Sequence, residues 1–428
     1  MRSFLLICLS IFPLVLFGQT TYYVSSSRGN DENSGLTQDK PWATIKELRT
    51  NSVFKLKRGD TFYFQIPRSW NSTPARPIVI TDYGSGEKPI ISGYKIVKRS
   101  SWQQVSETIF KAAINTGENY YGIKSKDTNV GFININGEIH GNRVKKISDL
   151  RQGWDFYCDS TSIYVFCKNK SDLLKHELRL ACNRILLNLS NNMKINNIQL
   201  IGTGAHAIQG VRVEDVLISG VKISDIGGAF LGPKFAQRYG NGIEFYFSAR
   251  NCLVRYCTIS NVYDAGFTMQ GNASNAIFEN IFFKNNILRY NEQSLEIWIT
   301  GGRSGFKNCI ISENKCYSAG YGWSHKVRED KNAGVHLLNY SWEVSPEFSD
   351  LSINNNIFDG AIDGYIFMAD KRTKDAPLFR AMGNKIYLKK TTPIRSSKSG
   401  SKYLDDDTRR LLKKLQIDVN SSFIKKSN

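Results

Sequence analysis

The chain has 428 residues, 41% hydrophobic and 22% charged, with 57 Lys+Arg against 38 Asp+Glu and a formal net charge of +19. This is ordinary globular composition, which excludes a disordered chain, a collagen and a coiled coil. Eight Cys in so long a chain also exclude a small disulfide scaffold.

Residues 1–18 read as a signal peptide: Arg2 is a minimal basic region, 4–17 is almost unbroken apolar sequence, and Gly18 is a small residue at a cleavage position. The expectation is a secreted or periplasmic chain. No later run approaches 18 consecutive apolar residues, so no membrane anchor is expected. Cys8 lies too early in the apolar run to serve as a lipoprotein cysteine. Seven Cys remain after the leader, and Cys158 and Cys167, which flank a turn at 159–162, are a candidate pair. The tail 371–428 holds 16 Lys+Arg and 5 Asp, or +11 of the +19. An anionic glycan therefore suits the chain as a partner, while nucleic acid does not suit an exported protein.

Between 196 and 390 a phrase recurs in which Asn precedes an apolar residue and a polar turn, as in NNIQLIG, NNILRYNEQS and NNIFDGAIDG. Its anchors are Ile198, Ile223, Ile259, Ile287, Cys316, Ile357 and Ile386, at steps of 25 to 41 residues. Short β-branched runs broken by Gly, Asn and Asp separate them, so each unit is a coil of strands and the whole is a parallel β-helix.

The segments TYYVSSSRGNDENSGLTQDKPWATIKEL, LKRGDTFYF and ARPIVITDYGSGEKPIISG resemble the first coils of secreted right-handed parallel β-helix proteins of the pectin-lyase-like superfamily. LLKKLQIDVNSSF is similar to their closing segment. The resemblance implies an all-β solenoid. It leaves the reaction open among glycoside hydrolases, polysaccharide lyases and adhesive proteins. The expected organisation is a signal peptide (1–18), N-terminal cap and first coils (19–95), an inserted β subdomain (96–180), the main β-helix (181–395) and a basic C-terminal cap with a short helix around 404–415 (396–428).

Aligning the coils places Glu244, Thr268, Glu296, His336 and Ile366 in one outward column, because strand side chains alternate; His206 joins it with a one-residue deletion. Insertions at 226–241 and 319–332 would stand as walls beside the column, carrying Lys234 and Arg238 on the first and Trp323, His325, Lys326 and Arg328 on the second. Glu244 and Glu296 lie two coils apart, compatible with the roughly 6.5–9.5 Å carboxyl separation of an inverting glycosidase. Asp264 is a third candidate acid or base at the bend before Gly266, and His336 is placed to tune Glu296 or orient water. Tyr246, Gln270 and Trp298 form a second column suited to sugar contact.

The leading expectation is a monomeric glycoside hydrolase acting on a polysaccharide, including uronate-bearing ones, with no metal or cofactor. The alternatives are a lyase, in which Glu244 and Glu296 would hold calcium near Lys326 or Arg328, and a glycan-binding protein without catalysis. The leader makes a first prediction. Intact-mass measurement of the exported protein should show a chain starting near Gln19 without lipid; lipid on Cys8 would contradict it.

Overall fold

The β-branched and aromatic runs between polar corners form strands that pair with the run one coil later. A computed structural model describes residues 18–428 except 115–118, 121–122, 125–127, 232–236, 272–274, 330–332, 343–345, 369–378, 390–393, 397–399, 403–409, 411–412, 414–416, 420–421 and 427–428. Residues 1–17 of the expected leader and most of the expected capping helix fall outside the described residues. The chain winds as a right-handed parallel β-helix, with one sheet of 19 strands and another of ten.

In the ten-stranded sheet the inward ladder runs Leu200, Ile223, Ile259, Leu288, Cys316, Phe358 and Ile386, each opposite the next and each buried. Three expected anchors need correction. Leu200, Leu288 and Phe358 take the places assigned to Ile198, Ile287 and Ile357, and Ile287 faces out with 38% of its surface exposed. Two apolar residues flank each corner, and alternation alone does not say which begins the inward row.

The recurring Asn has a definite task. Asn286, Asn314, Asn356 and Asn384 stack at one corner, with the side-chain amide of each of the first three donating to the Oδ1 of the next at 2.9–3.0 Å. The same amides also reach backbone carbonyls of the preceding coil, as Asn314 does to Phe283 at 3.0 Å. Buried polar groups at a corner that no strand can satisfy are thereby paired.

Residues 97–182 build their own hydrophobic core around Phe110, Ile133, Phe156, Ile163 and Leu180. Two four-stranded sheets enclose it. The hairpin Phe156–Cys158 and Ser162–Phe166 closes on Asp159, whose carboxylate accepts the N–H groups of Thr161 and Ser162. Cys158 and Cys167 are separate buried thiols, so the suggested disulfide is absent. Among the described residues no helix is long and apolar enough to cross a membrane.

The Asn stack yields a prediction. Asn314→Ala should remove the acceptor of two bonds from Asn286 and the side-chain amide that donates to Asn356 and to the Phe283 carbonyl, destabilising by about 2–4 kcal/mol, with a fall in Tm of several degrees. An unchanged melting curve would show that the stack contributes nothing.

Candidate active site

Three consecutive strands carry the site: Ile243–Arg255, Ala265–Gly271 and Gln293–Thr300. Their parallel registers set Glu244 opposite Thr268 and Thr268 opposite Glu296. The column continues upstream to Gln209 and downstream to Leu338 and Phe367. Three expected members are therefore displaced. His336 sits two residues short of the column, His206 three residues before Gln209, and Ile366 pairs with Leu337 in the buried inward row while Phe367 takes the outward place.

His336 is turned into the solenoid. Its Nδ1 lies 3.0 Å from Ser294 Oγ, its ring packs 5.4 Å from Phe358, and its Nε2 is buried without a hydrogen-bond partner. Burial pushes its pKa down to about 3, so it stays neutral and cannot tune Glu296 from outside. His206 still reaches the site from the coil before. Its Nδ1 accepts the Asn241 N–H at 3.0 Å, which leaves Nε2 to carry the proton, 3.3 Å from Glu244.

Glu244 and Glu296 point outward yet are only 4% and 9% exposed, contrary to the expectation of a solvent-facing ladder. Glu244 accepts from Gln209 at 2.6 Å and Asn241 at 3.3 Å. Glu296 accepts from Thr268 at 3.0 Å and Gln270 at 2.7 Å. Burial, followed by the negative charge of Asp264, pushes the Glu296 pKa up to about 7; Glu244 adds a smaller push, and the Thr268 and Gln270 hydrogen bonds pull back. Glu296 is thus a proton-carrying carboxyl close to neutral pH beside two negative charges.

Asp264 stands at the bend between the two glutamates' coils. It accepts from Arg328 at 2.8 Å and from the Gly240 N–H at 3.0 Å. Its side chain keeps 20% exposure against 5% for Glu244, so it is the more accessible carboxylate.

The two insertions take defined shapes. The first forms a hairpin, Ala229–Leu231 with Gln237–Tyr239, and the second the short helix Trp323–Val327. Arg238, expected to face substrate, instead donates to the carbonyls of Gly228 and Gly131 at 2.6 Å and Gly141 at 3.1 Å. Burial lowers its pKa to about 10. Trp323 is likewise packing rather than surface: it meets Phe132 and Tyr263 and donates to the Asn261 carbonyl at 3.1 Å. Both walls are thus braced on the inserted subdomain. Tyr239, on the first wall, has its hydroxyl pKa raised by burial and then by Glu244. Lys326 is exposed, and Lys234 lies outside the described residues.

Sequence reasoning missed Gln209, although Ala207-Ile208-Gln209 repeats the small-apolar-polar phrase of Gly242-Ile243-Glu244. It also missed Glu292, fully buried at the end of the turn before its strand. Glu292 binds His325 Nδ1 at 2.9 Å and Ser324 at 3.0 Å, with Arg328 at 3.9 Å. Glu292, His325 and Asp363 offer ligand atoms within 4.8 Å of one another, a spacing open to a cation. Those atoms already engage in hydrogen bonds that fasten the second wall to the coils, including Gly334 N–H to Asp363 at 2.9 Å. In the second outward column Tyr246, Gln270 and Trp298 align as expected, and Tyr340 extends it.

The solved structure of XylC with xylose superposes over 88% of this chain and 69% of its own, with a TM-score of 0.55 at 12% identity. The likeness is one of fold, the parallel β-helix. A GH136 lacto-N-biosidase from Eubacterium ramulus matches over 96% of this chain and 67% of its own, with a TM-score of 0.37 at 13% identity. In sequence, 97 residues are 34% identical to the lacto-N-biosidase of Bifidobacterium longum subsp. longum, a match spanning 20% of this chain and 6% of that protein. No family model matches the chain.

The raised Glu296 pKa has a stability consequence. The folded state holds a proton that the unfolded chain has lost above about pH 4.5, so Glu296's contribution is favourable at low pH and falls away as pH rises toward 7. Glu296→Gln should therefore stabilise the fold above pH 7, by on the order of 3 kcal/mol at most and read as a higher Tm, and give no gain near pH 4. An equal shift at both pH values would contradict the assigned protonation.

Proposed function

We propose that the protein is a glycan-degrading enzyme that hydrolyses glycosidic bonds, with Glu296 as the general acid. The observation that carries this reading is the buried Glu296 carboxyl, raised to about 7 beside Asp264 and Glu244. A proton donor to a leaving oxygen works best when its pKa lies near the operating pH, and its partner must be ionised at that pH.

Asp264 is that partner in this proposal. Arg328 and the Gly240 N–H fix its carboxylate, and its exposure leaves room for water or a sugar carbon. Glu244 is more distant electrostatically and is held by Gln209, Asn241 and His206, so it serves to keep Glu296 protonated. This alters the expected Glu244–Glu296 pair while keeping all three carboxylates in the mechanism. Whether Asp264 activates water or attacks the sugar is set by the carboxyl separation once substrate is bound.

The 97-residue match to a protein named as a lacto-N-biosidase supports a carbohydrate substrate, as does the row Tyr246, Trp298 and Tyr340 beside the acids. The hydrolase reading fits Glu296 as a proton donor better than as a calcium ligand, which must be ionised. Export through the leader and action as a single chain without a membrane anchor belong to the same proposal.

Glu296→Gln and Asp264→Asn should each lower turnover on a responsive polysaccharide by about a hundredfold or more. Glu244→Gln should act more mildly, shifting the alkaline limb of the kcat/KM profile to lower pH, because a negative charge beside the acid is removed. Severe loss in Glu244→Gln with little in Asp264→Asn would hand the partner's role to Glu244. New reducing ends without unsaturated-uronate absorbance would establish hydrolysis, and the two together would establish elimination.

A further inference from the structure

Away from the carboxylates, a line of cationic and aromatic side chains crosses the early coils and has no part in the chemistry proposed above. Trp70 is 76% exposed, an unusual position for a large aromatic ring. Arg68 stacks against it, with the guanidinium 4.0 Å from the ring centroid. That guanidinium is not free to wander: it donates to the backbone carbonyls of Val211 and Arg212. The loop bearing both residues is itself tied down, as Ser69 N–H donates to Ser190 Oγ at 2.8 Å.

The next step along the solenoid repeats the arrangement. The Arg212 guanidinium lies 4.3 Å from the Phe247 ring centroid, and Phe247 sits 4.1 Å from Tyr246. Arg212 and Phe247 have positive φ values of 49° and 64°. Many corners of this solenoid use Asn in that conformation, the residue that tolerates it best. A bulky ring and an Arg at such positions are strained choices, which sustained packing or function must favour. Tyr246 then leads directly into the column Gln270, Trp298 and Tyr340 alongside Glu296.

We propose that Trp70, Arg68, Arg212 and Phe247 form a binding ridge for an anionic polysaccharide, continuous with the candidate active site and taking the chain beyond the bond that is cleaved. The rings offer faces to sugar C–H groups, and the guanidinium groups match carboxylates carried by the sugars. The ridge lies on the line of the Tyr246 column, so one extended chain can occupy both. The sugar identity rests on the glycan reading above, but binding to the ridge is measured without turnover.

The test uses full-length protein carrying Glu296→Gln, with polygalacturonate and alginate as probes and methyl-esterified polygalacturonate as the uncharged control. Calorimetry should show binding to at least one acidic polymer, weaker binding to the ester, and loss of affinity with added salt. Adding Trp70→Ala or Arg212→Gln should weaken acidic-polymer binding by about tenfold with Tm unchanged. Because Trp70 is exposed, its variant is expected to fold. No binding of either acidic polymer, equal affinity for the ester, or unaltered affinity in both variants would overturn the proposal. Ridge-dependent binding by a protein whose wild type shows no turnover would leave the ridge standing and remove the hydrolase reading instead.

Discussion

Hydrogen bonding between successive coils is the constraint on which every other feature depends. It holds parallel strands at about 4.8 Å and allows no slippage without exchanging inside for outside. Glu244, Thr268 and Glu296 occupy three consecutive strands because Ile243, Phe267 and Leu295 must all face inward. The same stacking aligns the Asn corner, so one backbone arrangement serves stability and site alike. A stack this strongly determined can hold a carboxyl group in surroundings that disfavour its charge.

The insertions and the 97–182 core meet across large sequence separations: Arg238 bonds to Gly131 and Gly141, and Trp323 packs on Phe132. The basic residues of the walls consequently act on the protein before they act on any ligand. Arg328 is the clearest case. It joins Asp264, Glu292 and the Tyr263 carbonyl, so the second wall, the bend and the floor of the site are held as one unit. Its charge orients the carboxylate that, in the proposed mechanism, works opposite Glu296.

The fold and the acidic column were legible because period-2 alternation and the recurring Asn are local signals. The Glu244–Thr268–Glu296 alignment follows from matching small-apolar-polar phrases in coils with ordinary corners. His336 escaped this logic because its coil carries a long insertion. Gly334-Val335-His336 imitates Gly242-Ile243-Glu244, while the inward demands of Leu337 and Asn339 shift the register by two. His206 was misplaced by assuming a deletion where Gln209 fits without one. Nothing local signals that Arg238 and Trp323 brace the walls, since their partners lie some 100 to 190 residues earlier in sequence. Nor does sequence disclose burial of an outward-facing Glu.

The central claim is that Glu296 carries a proton near neutral pH. Infrared difference spectra of the wild type against Glu296→Gln, collected across a pH titration, test it directly. The account predicts a protonated-carboxyl stretch at pH 6 that disappears with a midpoint of about 7 and is missing from the variant. A wild-type spectrum with no such band at pH 6, or a band that survives in Glu296→Gln, would contradict it.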